Sequence, residues 1–266
     1  MIDAMVRAAR EAAAFQLLEF RSRDPGWGNA KAAREFVSFV DVESEKIIRR
    51  TLEKALPSAA FYGEETERTV GKDATWIVDP IDGTVNYLSG YDHWCVSIAL
   101  MDGMREEGSE IAAGLILKPA TGELFTAERG RGAFRNGTRL PRATKIEATD
   151  ALIVMGTPFR SPDTIDAYFR VVRKVLASYR ELRRTGSAAL DVAYLAAGYF
   201  QGYWEVDLKP YDIAAGLLML SETGHDYRNF AGEYYDLFKD RGFVSARPGI
   251  LESLMDTVRT EYAPIR

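Results

Sequence analysis

The run Trp76-Ile77-Val78-Asp79-Pro80-Ile81-Asp82-Gly83-Thr84-Val85-Asn86-Tyr87 constrains this chain more than any other stretch. Trp76, Ile77 and Val78 read as the end of a buried strand. Asp, Pro, Asp, Gly and Thr then supply turn and helix-start residues. Two carboxylates are thus expected on a tight turn at a strand's end. Backbone N–H groups and one hydroxyl face the same space. Paired carboxylates can hold a hard divalent cation, and free N–H groups at a helix start can hold a phosphate. A metal site beside a phosphate site points to phosphoryl chemistry.

The chain has 266 residues, enough for one large domain or two fused halves. Apolar residues make up 47%, which predicts a globular protein rather than disorder. No apolar run approaches the ~20 residues of a membrane helix. The start, Met1-Ile2-Asp3-Ala4-Met5-Val6, lacks the basic flank and long apolar core of a signal peptide. Cys95 is the sole cysteine, so no internal disulfide can form. Its place in the apolar run Trp94–Leu100 reads as a buried structural thiol, in keeping with a reducing cytoplasm. The net charge of −5 weighs against a general nucleic-acid binder.

No internal repeat is visible. Residues 2–20 read as an amphipathic helix, with Ile2, Met5, Val6, Ala9, Ala13, Leu17 and Phe20 at helical spacing. Residues 21–35 break that pattern and read as a loop; a basic lid carrying Lys31 and Arg34 is the sharper alternative. A second helix carries Val40, Ser44, Ile47, Ile48, Thr51, Leu52 and Ala55 on one face and stops at Pro57, with Asp41 in its first turn. Strands are expected over 94–101, 111–117, 123–128 and 133–140, the last turning at Asn136-Gly137. From about residue 145 strands alternate with helices: strand 151–155, helix 163–179, helix 188–197, strand 199–206, helix 211–223, a strand near 225–230 and a helix near 249–261. The fold class expected is therefore α/β, an α+β half over 1–145 followed by an α/β half over 146–266. No flexible linker separates them, so a shared interface is expected.

Four acidic groups stand out: the Glu64-Glu65 pair after Gly63, Asp79, Asp82, and Asp212 at the start of a helix. Each alone has a plain reading. Asp212 suits a helix dipole, Glu64 and Glu65 suit a solvated turn, and Asp79-Pro80 suits a turn. The combination of spacings carries the information.

Together these segments resemble the inositol monophosphatase family of Mg²⁺-dependent, lithium-sensitive phosphatases. Gly63-Glu64-Glu65 matches its Gly-Glu-Glu element. Asp79–Tyr87 matches Asp-Pro-x-Asp-Gly-Thr-x-Asn-aromatic. Tyr211–Ala215 matches Trp/Tyr-Asp-x-Ala-Ala. Val37-Ser38-Phe39-Val40-Asp41 and Gly186-Ser187-Ala188-Ala189 resemble two further marks, and Glu205 stands seven residues before Asp212, where the family places a substrate-contacting Glu. The likeness spans roughly residues 37–224. Ser38 and Tyr211 are mild departures, standing where Thr and the commoner Trp are usual.

The resemblance implies a layered αβαβα sandwich of the sugar-phosphatase type and a Mg²⁺-dependent phosphomonoesterase with two or three ions per site. Glu64, Asp79 and the Ile81 carbonyl would bind the first ion. Asp79 would bridge to a second, shared with Asp82 and Asp212. Asp41 and Glu65 would help hold a third ion or its waters. The Thr84 hydroxyl, near Glu64, would orient the attacking water, with Glu64 and Asp41 as catalytic partners. Gly83 and Thr84 N–H groups would hold phosphate oxygens, and Glu205 and the Ala188 N–H would meet substrate hydroxyls. A small phosphorylated polyol or sugar, a homodimer and a cytoplasmic setting are implied as well. Inositol monophosphate is the leading substrate; fructose-1,6-bisphosphate, histidinol phosphate and a nucleotide 3′-phosphate are alternatives on the same metal site. A partner-binding regulatory protein that keeps the fold is the alternative of another class. His93 and His225 are expected to be structural or surface residues.

Overall fold

The computed structural model describes residues 1–22, 29–32, 35–37, 39–103 and 110–262. Helix α1 (Ile2–Ser22) buries Met5, Ala9 and Ala13 of the expected stripe together with Ala8 and Ala12, while Ile2, Val6, Leu17 and Phe20 are only partly buried. The expected loop over 21–35 instead contains two short antiparallel strands, β1 (Asn29–Ala32) and β2 (Glu35–Val37). The lid alternative and Ser38 fall largely outside the described residues. Helix α2 (Phe39–Ala55) buries Asp41, Ser44, Glu45, Ile48 and Leu52. Its apolar part packs on the sheet, while its first turns carry two carboxylates inward.

Strands β3 (Ala60–Gly63), β4 (Ala74–Asp82), β5 (Cys95–Asp102), β6 (Ile111–Lys118), β7 (Glu123–Glu128), β8 (Gly132–Arg135) and β9 (Thr138–Arg139) form one sheet in chain order, with the short helix α3 (Thr84–Leu88) after β4. Only the β3–β4 pair is parallel in this sheet. The β8–β9 turn has Asn136 and Gly137 at φ 49° and 78°, as a type I′ turn requires. A second sheet, ordered β11-β10-β12-β14-β13, comes from β10 (Leu152–Met155), β11 (Glu181–Arg183), β12 (Gly202–Val206), β13 (Asp226–Arg228) and β14 (Gly242–Ala246). Helices α4 (Ile165–Ser178), α5 (Ala188–Ala196), α6 (Pro210–Thr223) and α7 (Leu251–Tyr262) complete the described chain.

Side-chain alternation sorts these elements into five layers. Trp76, Val78, Val96 and Ile98 face α1 and α2. Ile77, Ala99, Met101 and Phe125 face α5 and α6, which also meet Val154, Tyr203 and Phe243 of the second sheet. Ile153, Trp204 and Val244 face α4 and α7. The result is an αβαβα sandwich. Each sheet is covered on both faces, which explains strands that read as unbroken apolar runs. Helix α6 is apolar nearly all round because it lies between two sheets. Cys95 is fully buried, as expected.

Besides β1 and β2, strands β3, β11 and β14 have no counterpart in the sequence-based reading. The expected end of β4 at Val78 also differs: the strand runs on to Asp82. From Asp79 to Asp82 it opposes only Ser97 to Cys95, so β4 carries one extra residue. Asp79-Pro80-Ile81 is therefore a bulge rather than a terminal turn, a place where proline's missing N–H can be tolerated in a ladder.

Candidate active site

The bulge is fixed from below. Gln16 of α1 donates Nε2–H to the Pro80 carbonyl at 2.7 Å, and the Tyr87 hydroxyl donates to the Gln16 carbonyl at 2.9 Å. Asp79 Oδ1 accepts from the Ile81 N–H at 3.0 Å, closing the bulge on itself. Gly83 then turns the chain at φ 99°, which favours glycine. Asn86 donates to the carbonyls of His93 (2.7 Å) and Thr185 (3.0 Å), tying this segment to the second half. The Asp-Pro-Ile-Asp-Gly-Thr-Val-Asn-Tyr order is thus a chain of supports as well as of functional groups.

Glu64 follows β3, which runs parallel to β4 and brings it beside Asp79. Glu45 of α2 holds this corner. Its carboxylate accepts from the Glu65 N–H at 2.8 Å and from the Thr66 hydroxyl. A Cβ on Gly63 would lie 2.4 Å from Glu45 Oε2, so that position has no room for a side chain. Asp212, in the first turn of α6, accepts from the Lys209 N–H at 2.7 Å and from Arg160 Nη1 at 3.1 Å. Its helix-start reading and its site reading hold together, because the capped turn aims the carboxylate into the site.

These elements enclose a cavity of about 340 Å³. Glu64, Asp79, Ile81, Asp82, Gly83, Thr84, Ala188, Glu205 and Asp212 all line it. Asp79, Asp82 and Asp212 each offer a carboxylate oxygen, and the three oxygens lie within 4.8 Å of one another. Asp41 and Glu65 are not among the lining residues. Asp41 stands behind the wall, its Oδ1 3.1 Å from the Thr84 hydroxyl, which is equally close to the Ile81 carbonyl. The Ala188 N–H, at the start of α5, is turned to Asp82. Ser187 and the Ala189 N–H also donate to Asp82, at 2.5 and 2.7 Å.

Glu205, on β12, is buried rather than a strand-end charge facing water. The Tyr203 hydroxyl, two residues earlier on the same face, donates to it. A Cβ on Gly156 would overlap its carboxyl carbon at 1.8 Å, so Gly156 makes room for Glu205. Sequence reasoning passed over Arg68, Arg160, Arg184 and Asp191, which also line the cavity. For Arg160 and Arg184 the signal was position: 156–160 and 184–188 follow parallel strands β10 and β11 at their carboxyl ends, where crevices form in α/β sheets. Neither histidine lines the cavity. His225 is buried against the Thr223 hydroxyl, and burial lowers both histidines to about 4.

Packing this many carboxylates into a dry wall costs ionisation energy. Burial, then the charges of Glu64, Asp82 and Asp212, pushes Asp79 well above the usual carboxylate range. Burial, then Asp212, raises Asp82 to about 7 against the opposing hydrogen bonds from Ser187 and the α5 N–H groups. Burial raises Glu205 to about 7, opposed by Tyr203. A set of oxygen donors that cannot ionise together without a cation fits a hard divalent ion.

The sign of the pH dependence follows. Folded-state values near 7 lie above the ordinary carboxylate values of about 4. Stability is therefore fully present below about pH 4 and is lost as pH rises through about 7. The chelated protein should melt at a lower temperature at about pH 8 than at pH 5, and added divalent cation should restore the loss. Thermal unfolding in chelator, with and without added cation, checks this; a melting temperature that rises from pH 5 to 8 in chelator contradicts it.

The chain is 41% identical over 226 residues to an inositol-1-monophosphatase of Rhizobium meliloti (strain 1021), covering 84% of this chain and 83% of that one. It is 34% identical over 265 residues to Nus factor SuhB of Escherichia coli (strain K12), covering 99% and 97%. The extragenic suppressor protein suhB of Bartonella henselae superposes with a TM-score of 0.89 at 36% identity, covering 97% and 98%. The profile of the inositol monophosphatase family matches residues 1–262, and the chain belongs to that family of phosphomonoester hydrolases.

Proposed function

We propose that the protein is a Mg²⁺-dependent phosphatase of small phosphorylated polyols, with inositol monophosphate as its leading substrate. The observation that carries this reading is the convergence of Asp79, Asp82 and Asp212 oxygens within 4.8 Å in a cavity that Glu64 and Glu205 also line. Mg²⁺, when bound, offsets the charge of the phosphate, acidifies a water and stabilises the leaving alkoxide. Glu64, Asp79, Asp82, Asp212 and the Ile81 carbonyl would hold two ions, with Asp41 and Glu65 supporting a third or its waters. The Thr84 hydroxyl, within reach of Asp41, orients the attacking water. Gly83 and Thr84 N–H groups face the phosphate. Glu205 accepts hydrogen bonds from ring hydroxyls, and the Ala188 N–H, turned to Asp82, lines the same cavity.

Phosphate release from inositol monophosphate, fructose-1,6-bisphosphate, histidinol phosphate and a 3′-nucleotide, compared by kcat/KM, tests the substrate. A preference for any of the last three would replace inositol monophosphate in this reading. Glu205→Gln should raise KM for inositol monophosphate by about tenfold, the worth of a hydrogen bond to a charged acceptor. It should spare a small aryl phosphate that has no ring hydroxyls. Equal losses on both would place Glu205 in the metal site instead.

Lithium sensitivity, a homodimer and a cytoplasmic setting belong to the same proposal. Among the described residues no helix is long and apolar enough to cross a membrane. A lithium titration of turnover, light scattering at micromolar concentration and cell fractionation test these three. The similarity to Nus factor SuhB proteins along nearly the whole chain favours a second reading, in which this chain also acts through a partner. A partner phenotype retained by a catalytically dead Asp79→Asn protein would support it, and loss of both together would remove it.

A further inference from the structure

Arg160 is the one cation hydrogen-bonded to a member of the three-carboxylate cluster among the described residues. Its Nη1 lies 3.1 Å from Asp212 Oδ2, with side chains only 19% and 7% exposed. Arg160 lines the same cavity as Asp212 and Glu205, so its side chain is shared by the metal corner and the polyol corner. The loop that carries it is held from several sides. The Phe159 ring lies under the guanidinium at 4.8 Å. The Ser161 hydroxyl accepts from Arg241 Nη2 at 3.1 Å. Arg241 in turn pairs through two hydrogen bonds, of 2.7 and 2.8 Å, with Asp207. Asp207 has φ 61°, a left-handed conformation rarely adopted by a non-glycine residue, in the turn between Glu205 and Asp212. One network therefore sets the position of Arg160, Glu205 and Asp212 relative to one another.

We propose that Arg160 is an internal counter-ion of Asp212, exchanged for a divalent cation when the site loads, and that the released guanidinium then contacts an anionic oxygen of the substrate's phosphate. The inference rests on reading Asp79, Asp82 and Asp212 as cation ligands. The physical case is a competition. Asp212 Oδ2 is both the oxygen that Arg160 holds and part of a carboxylate in the cluster. A guanidinium is weakly hydrated and fits planar oxyanions in a two-pronged contact, so phosphate is the natural second partner for it. The exchange keeps the metal-free cluster partly neutralised and couples metal entry to the creation of an anion contact, which is positive coupling between the two ligands.

Calorimetric titration of Mg²⁺ into chelator-stripped wild type and Arg160→Gln, then of inorganic phosphate into the Mg²⁺-saturated proteins, tests it without relying on turnover. Removing the competitor should tighten Mg²⁺ binding on the order of tenfold, and removing the anion contact should weaken phosphate binding by a similar factor. These opposite shifts separate the proposal from a merely structural ion pair, whose loss would weaken both or neither. Unchanged or weaker Mg²⁺ binding in Arg160→Gln overturns the counter-ion role, and unchanged phosphate binding overturns the anion contact. If Arg160→Gln does not fold, Arg160→Lys carries the test, with the same two directions and smaller factors; no shift in either constant overturns the proposal. Failure of wild type to bind Mg²⁺ at all would remove the metal reading itself, a result distinct from a wild type that binds and a variant that does not differ.

Discussion

Asp79→Asn should lower kcat by roughly 10³ or more at saturating Mg²⁺, with the fold intact. Asp79 is almost fully buried, sits on the bulge and neighbours Glu64, Asp82 and Asp212. A carboxylate at that centre is the group best placed to share two cations. Its loss forfeits part of the several kcal/mol that metal charge stabilisation supplies in the transition state. Asparagine keeps the shape and can still accept the 3.0 Å hydrogen bond from the Ile81 N–H, so the bulge should persist. The metal-free variant should even be more stable than wild type near pH 8, because one of several mutually repelling buried carboxylates is gone. Steady-state kinetics and thermal melts of the same preparation read both effects. A kcat near that of wild type would remove Asp79 from the centre of the mechanism.

Thr84→Ala should lower kcat on the order of 10²–10⁴ with little change in KM, the usual cost of losing a group that positions a transferred proton. The Thr84 hydroxyl has a single proton and two acceptors at 3.1 Å, the Asp41 carboxylate and the Ile81 carbonyl. It donates to one of them, and its lone pairs stay available to a water in the cavity. Asp41, fully buried on α2, is the charged one of the two acceptors. Thr84→Ser keeps the hydroxyl and should recover most of the rate, which a purely steric role for the methyl group would not allow. An effect confined to KM would make Thr84 a phosphate-binding residue alone.

Much of this site could be read from the chain before its fold was known, because its parts are local. Asp79 to Tyr87 is one continuous segment, and Asp212 is tied to a helix start that proline and spacing announce. Glu64 and Glu205 each stand at the end of a short apolar run. What could not be read depends on distant pairings. The bulge at Asp79–Ile81 exists only against β5, so a turn was the natural expectation. Glu45 looks like one more charge on an amphipathic helix until Gly63 is found packed against it. Arg160 is an arginine in a Gly/Pro loop until α6 places Asp212 opposite. Strand β11 escaped because Glu181-Leu182-Arg183 is a largely exposed edge with no apolar pattern, and β14 because Gly242–Ala246 is short and buried on both faces.

Phosphate release from inositol monophosphate by wild type and Asp79→Asn, measured in chelator and then with Mg²⁺ restored, tests the central claim most directly. The account predicts no turnover in chelator, recovery with Mg²⁺ in wild type only, and a variant that remains folded yet inactive throughout. Equal hydrolysis with and without Mg²⁺, or full recovery in Asp79→Asn, would contradict it.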